Sequence, residues 1–109
     1  MGLYAVIGLD HPPHSMPRRD ASRPAHRSYV REHDQSISFV GVLLDDDNNQ
    51  CGSFYLFDAD SEQSIREWLA KEPFYQTGVY AQVVIRRFYL GFNGLAPQPW
   101  PVPAPPARE

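Results

Sequence analysis

Hydrophobic and polar positions alternate in blocks along the chain, and each block predicts an element. "LYAVIGL" (3–9) is a short apolar run with Tyr, Val and Ile, and reads as a strand. "DHPPHSMPRRDAS" (10–22) has three prolines and reads as a long connection, neither helix nor central strand. Pro24 fits a helix start, where its missing N–H costs nothing. Helix one is therefore placed over 24–33, with Ala25, Tyr29 and Val30 along one side and His26 in the first turn. "SISFVGVLL" (36–44) and "SFYLFDA" (53–59) read as a hairpin pair joined by "DDDNNQCG". Asp60 or Ser61 caps helix two, whose apolar stripe is Ile65, Trp68 and Leu69. Pro73 ends or kinks that helix at Glu72. "VYAQVVIRRFYL" (79–90) is the last strand.

The order β-α-β-β-α-β predicts an α+β, ferredoxin-like plait with an antiparallel four-stranded sheet. It occupies residues 1–95 as a single domain. Residues 96–109 hold six of the eleven prolines and read as an extended or disordered tail. Two helices cover one sheet face. Yet "LYAVIGL", "SFYLF" and "VVI" are apolar at successive positions, so both faces ask for burial. A homodimer packed through the sheet face is the expected solution.

Composition narrows the function classes. At 109 residues and 42% hydrophobic, the chain supports one core. A net charge of −3 and the absence of a basic stripe argue against nucleic acid and anionic membrane surfaces. No run reaches membrane-spanning length, and "MGLYAVIGLD" lacks the basic start of a signal peptide. One cysteine, Cys51, rules out an internal disulfide and suits a reducing cytoplasm.

The chemistry centres on His26. The positive end of a helix disfavours an imidazolium, so a histidine in a first turn is held neutral. "KEPFYQTGVY" (71–80) supplies a counterpart. A carboxylate at the helix break, Glu72, can orient an imidazole and restore its basicity, which suits a general base. The plainer alternatives are a half-buried histidine on a backbone carbonyl and a solvated glutamate. Asp10, at the end of strand one, is a candidate for a polar substrate group or an ordinary turn residue. Arg23 is a candidate for an anionic group or a surface arginine. Phe74 and Tyr75 either wall a pocket or join the core.

Other signals are weaker. His11 and His14 in "HPPH" lack the further ligands of a metal site. "DDDNNQ" departs from a calcium loop at its glycine and at the closing acid, where Leu56 stands. No Gly-rich phosphate loop is present. Neither a metal nor a cofactor is expected.

The order of these motifs resembles the YCII-related domain family over roughly residues 3–88. "LYAVIGLD" is similar to its first strand ending in an acid, and "RPAH" to its first-helix histidine motif. "WLAKEPFYQTGVY" is similar to its acid-Pro-aromatic and Gly-Val-Tyr segment, and "IRRF" to its basic strand end. The resemblance implies a dimeric α+β barrel and a His–Asp pair with acid–base chemistry; one family member is a dehydrochlorinase of a chlorinated hydroxyquinol. His26 matches the family histidine. Glu72 stands where the family has Asp, and Gly41-Val42 stands where it has Gly-Pro.

Two functions follow. The first is a small enzyme carrying out elimination or isomerisation on a small oxygenated molecule, with His26 as base and Glu72 as its partner. The second is a non-catalytic accessory or sensor domain binding such a molecule. A third reading makes "PQPWPVPAPP" a docking segment for an aromatic-lined groove.

Overall fold

The structure is a computed structural model that describes residues 2–95. The element order is β1 (Gly2–Asp10), α1 (Met16–Glu32), β2 (Ile37–Leu44), β3 (Gln50–Ala59), α2 (Glu62–Ala70), α3 (Pro73–Gln76) and β4 (Tyr80–Arg87). The four strands form one antiparallel sheet in the order β2-β3-β1-β4. The proline-rich segment 96–109 lies outside the described residues.

Strand period and register define two faces. Val6 pairs with Tyr55 and Ile85, and Tyr4 with Phe57. These residues face the helices. With Ile65 and Leu69 of α2 they make the core, closed by edge-on contacts of Trp68 with Tyr55 and Phe57. The intervening residues face the other way. Leu3, Ala5 and Ile7 of β1 pair with Asp58, Leu56 and Phe54 of β3, and Phe39 of β2 pairs with Leu56. That outer face is mainly apolar, and among the described residues no helix covers it.

The first helix differs from the sequence-based expectation. It begins at Met16, with Pro17 in the first-turn position assigned above to Pro24, and Pro24 lies inside it. An interior proline removes the bond to the carbonyl four residues back and costs about 3 kcal/mol. The helix persists because its buried stripe is held by side-chain bonds instead. That stripe is Arg19, Ser22, Arg23 and His26. The long connection therefore shrinks to residues 11–15. His26 stands well inside the helix, and the helix-start argument for its neutrality falls away.

Two further boundaries move. β3 starts at Gln50, so the hairpin loop is 45–49, tied by Asp45 Oδ1 accepting the backbone N–H groups of Asp47 and Asn49. Helix two ends at Ala70, and a separate turn of helix follows Pro73. Gly8 is needed where it stands: a Cβ there would meet the Tyr80 ring at 2.7 Å.

Candidate functional site

Glu72 caps α3. Its backbone is extended, Pro73 takes the first helical position, and its Oε2 accepts the Phe74 N–H at 2.9 Å. Capping in this way aims the carboxylate at α1. Oε2 also lies 2.7 Å from Nδ1 of His26. His26 is 1% exposed and Glu72 0%. An ionised carboxylate oxygen only accepts, so Nδ1 donates its proton toward Glu72. The imidazole stacks on Phe74, ring centres 3.9 Å apart and planes 8° from parallel. Three constraints thus fix this ring: the helix backbone, the carboxylate and the stacked phenyl group.

Beside the pair lies a second buried ion pair. Arg19 donates to both oxygens of Asp10, from Nε at 2.7 Å and from Nη2 at 2.9 Å. Asp10 also accepts the Ser15 N–H. Arg19 further donates to Ser53 Oγ, and its guanidinium lies over the Phe74 ring at 5.1 Å. Ser53 Oγ accepts the Tyr80 hydroxyl proton at 2.9 Å. Burial, then the charge of Glu72, pushes the Tyr80 phenol well above the ordinary tyrosine value. Tyr80 is therefore a neutral hydrogen-bond donor at any physiological pH.

Arg23 lies one turn before His26 on the same helix. It donates to Asp20 at 2.7 Å and to Oε1 of Gln50 at 2.9 Å. Its guanidinium is buried while Asp20 is half exposed. Ser22 donates to Thr77, which fastens α1 to the end of α3.

Six side chains were singled out from the sequence, and five of them lie in this buried cluster: His26, Glu72, Asp10, Arg23 and Phe74. Tyr75 does not join them; it is 49% exposed. Both oxygens of Asp10 are already taken by Arg19. Arg19, Gln50, Ser53 and Tyr80 were not anticipated. Arg19 had a readable signal: 19, 22, 23 and 26 repeat at helical spacing, but with polar residues. Near the cluster, His11, His14, Ser15, Pro17 and Arg18 line an open cleft of about 370 Å³. Among the described residues, no three His, Cys, Asp or Glu side chains group as metal ligands, and no helix is long and apolar enough to cross a membrane.

Comparison with known proteins bears on the family and the fold. An uncharacterised protein of Haemophilus influenzae is 24% identical over 94 residues, spanning 79% of this chain and 96% of its own. The fold is similar to that of TftG, the 5-chloro-2-hydroxyhydroquinone dehydrochlorinase of Burkholderia phenoliruptrix, solved with 2,5-dihydroxybenzoquinone. The TM-score is 0.71 at 25% identity, over 80% of this chain and 93% of the other. The sequence matches the YCII-related domain over residues 2–89, and the chain belongs to that family.

Proposed function

We propose that this chain is a small enzyme that performs acid–base chemistry, elimination or isomerisation, on a small oxygenated molecule. The observation that carries this reading is the buried 2.7 Å contact between His26 and Glu72. Glu72 fixes the tautomer and stabilises the imidazolium that forms when Nε2 takes a proton. As the substrate C–H bond breaks, its electron pair becomes a new double bond. In an elimination the leaving group departs with its own bonding pair. In an isomerisation His26 returns the proton at another carbon. Phe74 holds the imidazole plane, and the Arg19–Asp10 pair holds Phe74 and the start of α1.

The likeness to TftG supports a small oxygenated ligand, since that protein is a dehydrochlorinase solved with a dihydroxyquinone. Glutamate is one methylene longer than the family's usual aspartate, but its reach to both Phe74 N–H and His26 keeps the pair closed. A second copy of the chain on the apolar outer sheet face completes the proposal, giving one site per subunit.

The experiment is a thermal-shift screen of quinols and hydroxylated or enolic carboxylates on wild type and His26→Ala, with hits assayed for turnover. Stabilisation of wild type alone, followed by turnover, is the expected result. Stabilisation without turnover would leave a binding domain. Equal shifts in both proteins would remove His26 from any ligand site.

A further inference from the structure

The end of β4 and the residues after it build an apolar surface that the His26 site does not use. Phe88, Phe92 and Leu95 are exposed, Phe92 at 88% and Leu95 at 76%. With Leu3, Phe39 and Leu56 of the outer sheet face they line a groove of about 360 Å³. An exposed apolar groove of this kind marks a docking surface. Its polar lining is Ser38 and Asn93. Oδ1 of Asn93 accepts the Leu95 N–H, so the donor that Asn93 brings to an occupant is its amide nitrogen. The groove thus combines aromatic walls with side-chain donors.

The occupant follows from where the described chain stops. Leu95 lines the groove and is the last described residue. Residues 96–109 continue directly from it, with Pro97, Pro99, Pro101, Pro103, Pro105 and Pro106 around Trp100. No linker has to be spanned, so the segment meets the groove as a tethered ligand at high effective concentration. Each proline fixes its own φ near the polyproline-II value, which lowers the ordering cost of docking. Each also lacks an N–H, so the segment presents apolar rings and carbonyl acceptors. That is the complement of an aromatic groove with Ser38 and Asn93 as donors. At three residues per turn, Pro97, Trp100, Pro103 and Pro106 fall on one edge, apolar throughout, with about 9 Å between successive members.

We propose that the segment Pro97–Pro106 docks in the groove of its own chain, with Trp100 against the wall that Phe39, Phe88 and Phe92 provide. The chain then covers one end of its own outer sheet face. Ile7 and Phe54 lie on that face outside the groove lining and stay open to a second copy. The tail is a strap beside the sheet-to-sheet contact, not a rival for it.

The test is NMR on the full chain, with the free peptide 96–109 as reference and Trp100→Phe to assign the indole signal. The expected result is nuclear Overhauser contacts from the Trp100 ring to the methyl groups of Leu3 and Leu56, with an indole shift unlike that of the peptide. Phe88→Ser and Phe92→Ser should each move the indole signal toward the peptide position, with the circular dichroism spectrum retained. Trp100→Ser should shift the Leu3 and Leu56 methyl signals. A wild-type indole signal at the peptide position, without groove contacts, would overturn the proposal and leave the tail free. So would an indole signal that stays in place in both Phe variants. In a mixture of ¹³C-labelled and ¹⁵N-labelled copies, Trp100 contacts to a groove of the other label would overturn docking within one chain and assign the tail to the partner's groove.

Discussion

Nδ1 of His26 and Oε2 of Glu72 approach to 2.7 Å in a buried contact between α1 and the start of α3, and the same Oε2 accepts the N–H of Phe74. One oxygen therefore both builds the α3 turn and orients the imidazole. Glu72→Gln keeps the size and one acceptor but removes the charge. The expected outcome is that the His26 titration, followed by NMR, moves to lower pH, because the anion that favoured imidazolium is gone. Superimposable curves in the two proteins would mean that the carboxylate does not act on the ring. Glu72→Ala also strips the cap and strands a buried imidazole. A loss of about 3 kcal/mol or more in urea denaturation is expected, the usual result of breaking a buried pair from one side.

The Arg19–Asp10 pair is predicted to be the tether of the first half of α1. Arg19 reaches Asp10 with two donors and Ser53 with one, and Asp10 in turn takes the Ser15 N–H at the helix start. Asp10→Ala leaves a fully buried guanidinium without its counter-charge. A loss of about 3–5 kcal/mol is expected. Hydrogen exchange should show the release concentrated in residues 16–23. The double variant Asp10→Ala with Arg19→Met removes both charges and should recover part of the loss. A double variant no more stable than Asp10→Ala would show that the pair's charge balance is not what holds the helix.

Much of the fold was legible because its core follows period two and period 3.6 in apolar residues. Val6, Tyr55, Phe57 and Ile85 mark the inner sheet face, and Ile65 and Leu69 mark α2. The first helix was half legible for the opposite reason. Its buried stripe is Arg19, Ser22, Arg23 and His26, which a hydrophobic reading counts as solvent-facing, and an interior Pro24 looks like a start signal. The site divides along the same line. Glu72 was readable from the proline that follows it, and His26 from its motif. Gln50 and Ser53 carried no mark in the sequence, because only the strand register brings them under α1.

Alkaline pH should destabilise the protein through Tyr80. Burial and the Glu72 charge raise its folded-state value, while the unfolded chain titrates near the ordinary value of about 10. The folded state thus keeps a proton that the unfolded state gives up. Stability from this residue is complete below about pH 10 and declines as pH rises toward the folded value. Tyr29, raised by its own burial and by Glu72, acts in the same direction. Tyr80→Phe removes the Tyr80 contribution, and Ser53 keeps its bond from Arg19. The expected measurement is a melting temperature that falls less steeply between pH 10 and 11.5 in the variant. Equal slopes would mean that Tyr80 exchanges its proton as freely as an exposed tyrosine.

The outer sheet face makes the last prediction. Phe39 and Phe54 lie in contact on it, ring centres 5.5 Å apart, beside Leu3, Ile7 and Leu56. Phe88, Leu90 and Phe92 extend the surface and border an apolar groove of about 360 Å³. Burying each square ångström of such surface returns about 25 cal/mol, so a sheet face of this kind favours a second layer. The two longer helices are committed to the inner face, where α2 supplies Ile65 and Leu69 and α1 its polar stripe. The predicted remaining layer is another copy of the sheet, packed face to face. Light scattering at low micromolar concentration should give twice the chain mass for wild type. Phe39→Lys combined with Phe54→Lys places two like charges in the centre of the contact and should give the monomer mass, with the circular dichroism spectrum retained because neither residue touches the inner core. A monomeric wild type would leave the apolar face without a second copy. A dimeric double variant would move the contact elsewhere on the molecule.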